Sequence, residues 1–120
     1  MEKRYSFETN CVHGTYDPRK FNKARAVPLF QSSAFVYDSI DNAADLFSFN
    51  TEGNIYMRID NPTVQEAENR IALLEGGIGA VCFASGMAAM SGFILNFLKS
   101  GDRVLSGCYL YGGTSGLLKD

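Results

Sequence analysis

Histidine is almost missing from this 120-residue sequence, and the single His13 has no partner at the spacing of a metal ligand pair or a nucleophile triad. Neither a metal centre nor a Ser/His/Asp site is therefore expected. Cysteine is scarce as well. Cys11, Cys82 and Cys108 are odd in number and show no CxxC or metal-ligand spacing, which predicts reduced thiols rather than a disulfide framework. No cluster of Lys or Arg occurs, and 11 basic against 13 acidic side chains leave a net charge of -2. A phosphate polymer finds no electrostatic footprint on such a chain, so nucleic acid is not an expected partner. Long apolar runs are also absent. The longest, Met87 to Leu98, is interrupted by Ser91, Gly92 and Asn96 and is too short to cross a bilayer, so no membrane partner is expected. The charged start Met1-Glu2-Lys3-Arg4-Tyr5 leads into no apolar segment, which argues against a secretory signal and for a cytoplasmic protein. No internal repeats or low-complexity tracts point to a solenoid.

What is present is an ordinary soluble composition, 46% apolar and 20% charged, of one domain or a piece of a larger one. Residues 1–60 show no sustained period and carry scattered turn formers such as Tyr16-Asp17-Pro18 and Thr51-Glu52-Gly53-Asn54, the pattern of an extended arm. One short helix is expected within it over Asp41 to Phe49, after the possible caps Ser39 and Asp41. Apolar residues of the arm, among them Leu29, Phe30, Phe35, Val36 and Tyr37, gain stability only by burial on some other surface.

From residue 61 the signals become regular. Thr63 and Glu66 form a Thr-x-x-Glu capping box, predicting a helix that runs through Val64, Ala67, Ile71 and Leu74 to a left-handed stop at Gly76-Gly77. Glu66 and Glu68 fall on different helical faces and read as solvated. Ile78 to Ala84 reads as a strand buried on both faces and Arg103 to Cys108 as the next strand, with the Met87 to Leu98 helix between them. Helix, strand, helix, strand predicts a βαβ unit with a parallel sheet in an α/β fold.

Three places carry possible chemistry. Ser85-Gly86 joins a strand to a helix, where free N–H groups and the helix dipole attract an anion, although a plain capped turn explains the same residues. Tyr56 and Arg58 would lie on one side of an extended segment and offer a phenol and a guanidinium fork to an anion; a packed Tyr beside a surface Arg is the alternative. Tyr109-Leu110-Tyr111-Gly112-Gly113-Thr114 follows the second strand, at the sheet edge where α/β proteins bind ligands, and a Tyr there suits a flat ring or simple packing before a Gly-Gly turn.

Taken in order, Gly53-Asn54-Ile55-Tyr56-Met57-Arg58 with Asn61-Pro62-Thr63, Leu73-Leu74-Glu75-Gly76-Gly77, Ala84-Ser85-Gly86-Met87-Ala88-Ala89, Gly101-Asp102 and Leu110-Tyr111-Gly112-Gly113-Thr114 resemble the pyridoxal-phosphate enzymes of cysteine and methionine metabolism. This is the family of cystathionine synthases and lyases, and the segment Ala24 to Ser33 is most similar to its O-acetylhomoserine sulfhydrylase branch. The resemblance implies the start of a fold-type I transferase large domain over residues 61–120, preceded by an arm over 1–60 that serves a neighbouring subunit's site. It implies pyridoxal 5'-phosphate as cofactor, with Gly86 and Met87 on the phosphate, Tyr111 stacked on the pyridine ring and assisting proton movement, and Tyr56 and Arg58 reaching the phosphate of another subunit. A homo-oligomer, dimer or tetramer, follows from that sharing. The implied reaction replaces the acetate of an amino-acid ester, O-acetylhomoserine, by sulfide or a thiol. A γ-lyase branch member or a non-catalytic anion-binding module are the alternatives. None of Lys3, Lys20, Lys23, Lys99 and Lys119 resembles the family's cofactor-holding lysine, which lies in a later segment of longer chains, so the 120-residue chain alone is expected to be inactive.

Overall fold

The computed structural model describes residues 5–119; the charged start Met1 to Arg4 and the terminal Asp120 lie outside the described residues. Five α-helices follow in order: α1 (Phe7–His13), α2 (Ile40–Phe47), α3 (Pro62–Glu75), α4 (Gly86–Phe97) and α5 (Gly112–Leu117), with a 3-10 turn at Pro18–Phe21 between the first two. The chain divides into two compact units, one up to Val81 and one from Cys82.

In the first unit, α1 packs on α3. The helix α1 escaped sequence reading because seven residues carry too little period to register, yet Ser6 caps it by accepting from the Thr9 N–H. Gly14 closes it, and an added Cβ there would strike the Leu73 side chain and lie 2.8 Å from the Asn10 carbonyl oxygen. Gly14→Ala is therefore expected to push α1 off α3 and cost about 1–3 kcal/mol, read as a lower urea midpoint. After α1 the 3-10 turn is capped by Asp17, whose carboxylate accepts from the Arg19 N–H at 3.0 Å and from its guanidinium at 2.9 Å. The Arg19 side-chain hydrogen bond, then its backbone N–H, hold the Asp17 carboxyl below its usual range. The cap is thus retained until pH falls below that range. Tyr16 stacks on Phe21 at 5.5 Å, Phe21 meets Phe30 edge-on at 5.9 Å, and the Tyr16 hydroxyl donates to the Ala24 carbonyl at 2.7 Å.

The helix expected over Asp41 to Phe49 is α2, with Ser39 as its cap accepting from Asn42 N–H at 3.0 Å. Leu46 on this helix and Ile55 beyond it are buried, while Leu29, Val36, Ile40 and Phe49 are exposed.

The expected capping box at Thr63 and Glu66 is not formed. Asn61 is the N-cap, accepting from Thr63 N–H at 2.9 Å, and Pro62 occupies the first helical position, where its fixed φ suits the helix. The start is thereby moved ahead of Thr63, whose hydroxyl instead accepts from Phe30 N–H and donates to the Pro28 carbonyl, both at 2.9 Å. Asn61 completes the clasp by donating to the Phe30 carbonyl. Glu66, read as solvated, is buried. It accepts from the Thr15 hydroxyl and from Arg70 at 2.9 Å, and Arg70 also donates to the Cys11 carbonyl at 3.2 Å, so a polar knot ties α1 to α3. The stop at Gly76-Gly77 is as expected. Gly76 takes φ 66°, its N–H reaching Leu73 and the Gly77 N–H reaching Ala72.

In the second unit, α4 packs on α5. Gly92 on α4 lets the Phe83 ring approach to where a Cβ would be 2.8 Å away. The expected parallel sheet is not formed. Among the described residues the β pairing is a single antiparallel bridge, Ala34 to Tyr56, and the spans expected as strands, Ile78 to Ala84 and Arg103 to Cys108, run outside helix and ladder. A strand exists only through a neighbour that accepts its hydrogen bonds, and the described residues offer these two spans none in ladder register.

Candidate functional site

The first candidate element is the start of α4. Ser85 is extended, and its hydroxyl accepts from Ala88 N–H at 3.1 Å while its carbonyl accepts from Ala89 N–H at 3.0 Å. Ser85 is thus the helix cap, one of the two roles its position allowed. With those two donors used, the N–H groups of Gly86 and Met87 remain outside the helix ladder at the positive end of the dipole. A Cβ built at Gly86 meets nothing within 4 Å, so the bare backbone faces open space. Two donors, a favourable dipole and no side chain in the way are what an anion cradle requires.

Tyr111 stands in the same unit as the N-cap of α5, with no side-chain cap bond, and is 74% exposed. Gly112 and Gly113, expected as a turn, are instead the first residues of that helix. A Cβ on Gly113 would lie 2.9 Å from the Tyr111 ring and 3.1 Å from Met87 Sδ. The absence of that Cβ lets the tyrosine ring and the start of α4 come together. Buried Thr114 adds a contact of 3.7 Å from its hydroxyl to Met87 Sδ. Gly86, Met87 and Tyr111 therefore share one compact unit. Sequence reading missed Gly113 and Thr114 as the residues that hold them there; the Gly-Gly doublet was the available signal.

Tyr56 and Arg58 belong to the other unit. They do not lie on one side of an extended strand, because Met57 to Ile59 form a turn closed by Ile59 N–H and Asp60 N–H on the Tyr56 carbonyl at 2.8 and 3.1 Å. The turn still brings the two side chains together: the Arg58 guanidinium sits 4.9 Å above the Tyr56 ring centre, a cation–π pair. They line a cavity of about 450 Å³ with Tyr37, Phe47, Ile55 and Ile59, in which Arg58 is the one charged group.

A pyridoxal phosphate needs a dianion cradle and a flat face. The second unit offers both, in the bare N–H groups at Gly86 and Met87 and in the exposed ring of Tyr111. The described residues hold no group of three His, Cys, Asp or Glu side chains placed for a metal ion. No helix among them is long and apolar enough to cross a membrane.

The family model for Cys/Met metabolism PLP-dependent enzymes matches residues 8–120. The O-acetyl-L-homoserine sulfhydrylase of Corynebacterium glutamicum is 44% identical across 95% of this chain, which is 26% of that protein. The L-methionine gamma-lyase of Pseudomonas putida is 38% identical across 93% of the chain and 28% of its own length. A crystal structure from Campylobacter jejuni, described as an O-acetylhomoserine (thiol)-lyase carrying N'-pyridoxyl-lysine-5'-monophosphate, superposes with a TM-score of 0.87 at 37% identity, over 95% of this chain and 28% of that one. The chain thus spans about a quarter of the length of the relatives it matches. With a family model covering all but its first seven residues, the chain belongs to the Cys/Met metabolism PLP-dependent enzymes.

Proposed function

We propose that this chain is the amino-terminal part of a sulfhydrylase that turns O-acetylhomoserine and sulfide, or a thiol, into homocysteine, or a thioether, and acetate. The observation that carries this reading is the 44% identity to the Corynebacterium glutamicum enzyme across nearly the whole chain. Residues 61–120 are then the opening of a fold-type I large domain and residues 1–60 its arm.

Pyridoxal phosphate, when bound, supplies an electron sink for the pair left at the substrate Cα. The residues of this chain do the holding. The Gly86 and Met87 N–H groups grip the phosphate at the head of α4, and the missing side chain at Gly86 lets the phosphate come close. Tyr111 presents its exposed ring to the pyridine face and its phenol to the moving proton, held in place by the close fit over Gly113. Tyr56 and Arg58 act on a neighbouring subunit's phosphate, the guanidinium fork donating to its oxygens while the Tyr56 ring keeps it aimed. Sharing of this kind requires at least a dimer. Lysine, acidic and carboxylate-binding partners for the chemistry come from other parts of the enzyme, so the 120-residue chain alone is inactive.

The 38% identity to the Pseudomonas putida lyase favours elimination as the second reading. A chimera decides between them: this chain replaces the matching segment of the Corynebacterium glutamicum enzyme, and acetate release is followed with and without sulfide. Sulfide-dependent homocysteine formation is expected; breakdown of methionine without sulfide would favour the lyase. In the chimera, Arg58→Ala is expected to weaken cofactor retention about tenfold or more through loss of a charge-assisted pair of hydrogen bonds. Unchanged retention would remove Arg58 from the site.

A further inference from the structure

The helix α5 has little of its own to hold it. Six residues are fewer than an isolated helix needs, and Gly112, Gly113 and Gly116 are three of them. Its place is therefore set by contact with α4, on which it packs. Buried within α5 is Thr114, 8% exposed. A helical threonine commonly turns its hydroxyl back on its own backbone, but this one lies 3.7 Å from Met87 Sδ, close enough to donate to the weakly accepting thioether. Met87 thereby serves two purposes, with its N–H at the open head of α4 and its sulfur on α5. Tyr111 follows α5, because its carbonyl accepts from Ser115 N–H at 3.0 Å while its side chain makes no cap bond. The N–H groups of Gly86 and Met87 are fixed by something else, the two bonds that Ser85 makes to Ala88 and Ala89.

We infer that Thr114 is a positioning residue for the cofactor site: its hydroxyl, through Met87 Sδ, fixes the distance between the Tyr111 ring and the N–H groups at the head of α4. The inference rests on the reading of that helix head as a phosphate cradle. Its consequence is selective. A bare phosphate needs only the cradle, which Ser85 holds, whereas a phosphate carrying a pyridine ring needs the cradle and the tyrosine at one separation. Removing the hydroxyl therefore weakens the second ligand and spares the first.

The test is a pair of nitrogen-15 amide titrations of the full 120-residue chain, with inorganic phosphate and with pyridoxine phosphate, whose ring and phosphate come without an aldehyde that surface lysines would trap. Thr114→Val is expected to bind phosphate within about twofold of the parent and pyridoxine phosphate about three- to tenfold more weakly, the worth of one hydrogen bond. Thr114→Ser keeps the hydroxyl and restores parent affinity. Met87→Leu removes the sulfur, shows the same selective loss, and adds nothing to Thr114→Val in the double variant. The inference is overturned by parent-like pyridoxine phosphate affinity in Thr114→Val, by equal loss of both ligands, by a Thr114→Ser chain that binds as weakly as Thr114→Val, or by additive losses. A parent chain that binds phosphate at the Gly86 and Met87 amides but not pyridoxine phosphate leaves the cradle and removes the inference. If the parent binds neither compound there, the cradle itself fails and takes the inference with it.

Discussion

The Gly86→Val chain is expected to keep its helical circular dichroism and to lose at least about tenfold, and up to about a hundredfold, of its affinity for pyridoxal phosphate. The two halves of that result come from the same observation. A Cβ at position 86 meets no heavy atom within 4 Å, so the substitution is accepted by the fold. The space it enters is the approach to the Gly86 and Met87 N–H groups, the two donors of α4 left over after Ser85 has engaged Ala88 and Ala89. Branched carbons there hold a phosphate away from both donors, and charge-assisted bonds weaken steeply with distance. An absorbance titration of the purified chain measures the affinity, and inorganic phosphate as competitor identifies the moiety recognised. Parent-like affinity in the valine variant would mean that any binding happens elsewhere.

Glu66→Ala is expected to destabilise the first unit by about 3 kcal/mol, because it removes one partner of a largely buried ion pair and strands the other. Its carboxylate holds Arg70 at 2.9 Å and takes the Thr15 hydroxyl, and Arg70 Nε is already buried without a partner. Without the carboxylate, the guanidinium is left with the Cys11 carbonyl, and α1 loses its polar tie to α3. Glu66→Gln retains an acceptor for both donors and is expected to cost about 1 kcal/mol. Replacing both partners by apolar residues, as in Glu66→Leu with Arg70→Met, should cost less than either single loss. Urea melts of the three variants measure this. Equal costs for alanine and glutamine would show that the charge alone makes the tie and that the retained acceptor adds nothing.

Local signals were legible wherever a residue's effect is confined to its own turn. Ser39 before α2, Ser85 before α4 and the left-handed Gly76 after α3 act through bonds within a few residues, and each was readable. The failures have a common cause in distant partners. Thr63 fits a capping box until Pro28 and Phe30 claim its hydroxyl, and Glu66 looks solvated until Thr15 and Arg70 surround it. Ile78 to Ala84 has a strand's composition but lacks a ladder among the described residues, since pairing is a property of two segments. In the candidate site, the Ser85-Gly86 junction was legible from helix-end physics, and Met87 came from the family resemblance. The Tyr56 and Arg58 pair was expected from strand alternation and is made by a turn instead. Gly113 and Thr114 were not legible as the fit beneath Tyr111, because that fit depends on Met87 from another helix.

The central claim is that the start of α4 grips the phosphate of pyridoxal phosphate, and the most direct measurement is a nitrogen-15 amide titration of the chain with that compound. The account predicts that the Gly86 and Met87 amide signals move first and furthest, saturate together with Tyr111, and follow inorganic phosphate in the same direction. Saturable binding in which the Gly86 and Met87 amides stay still would contradict it.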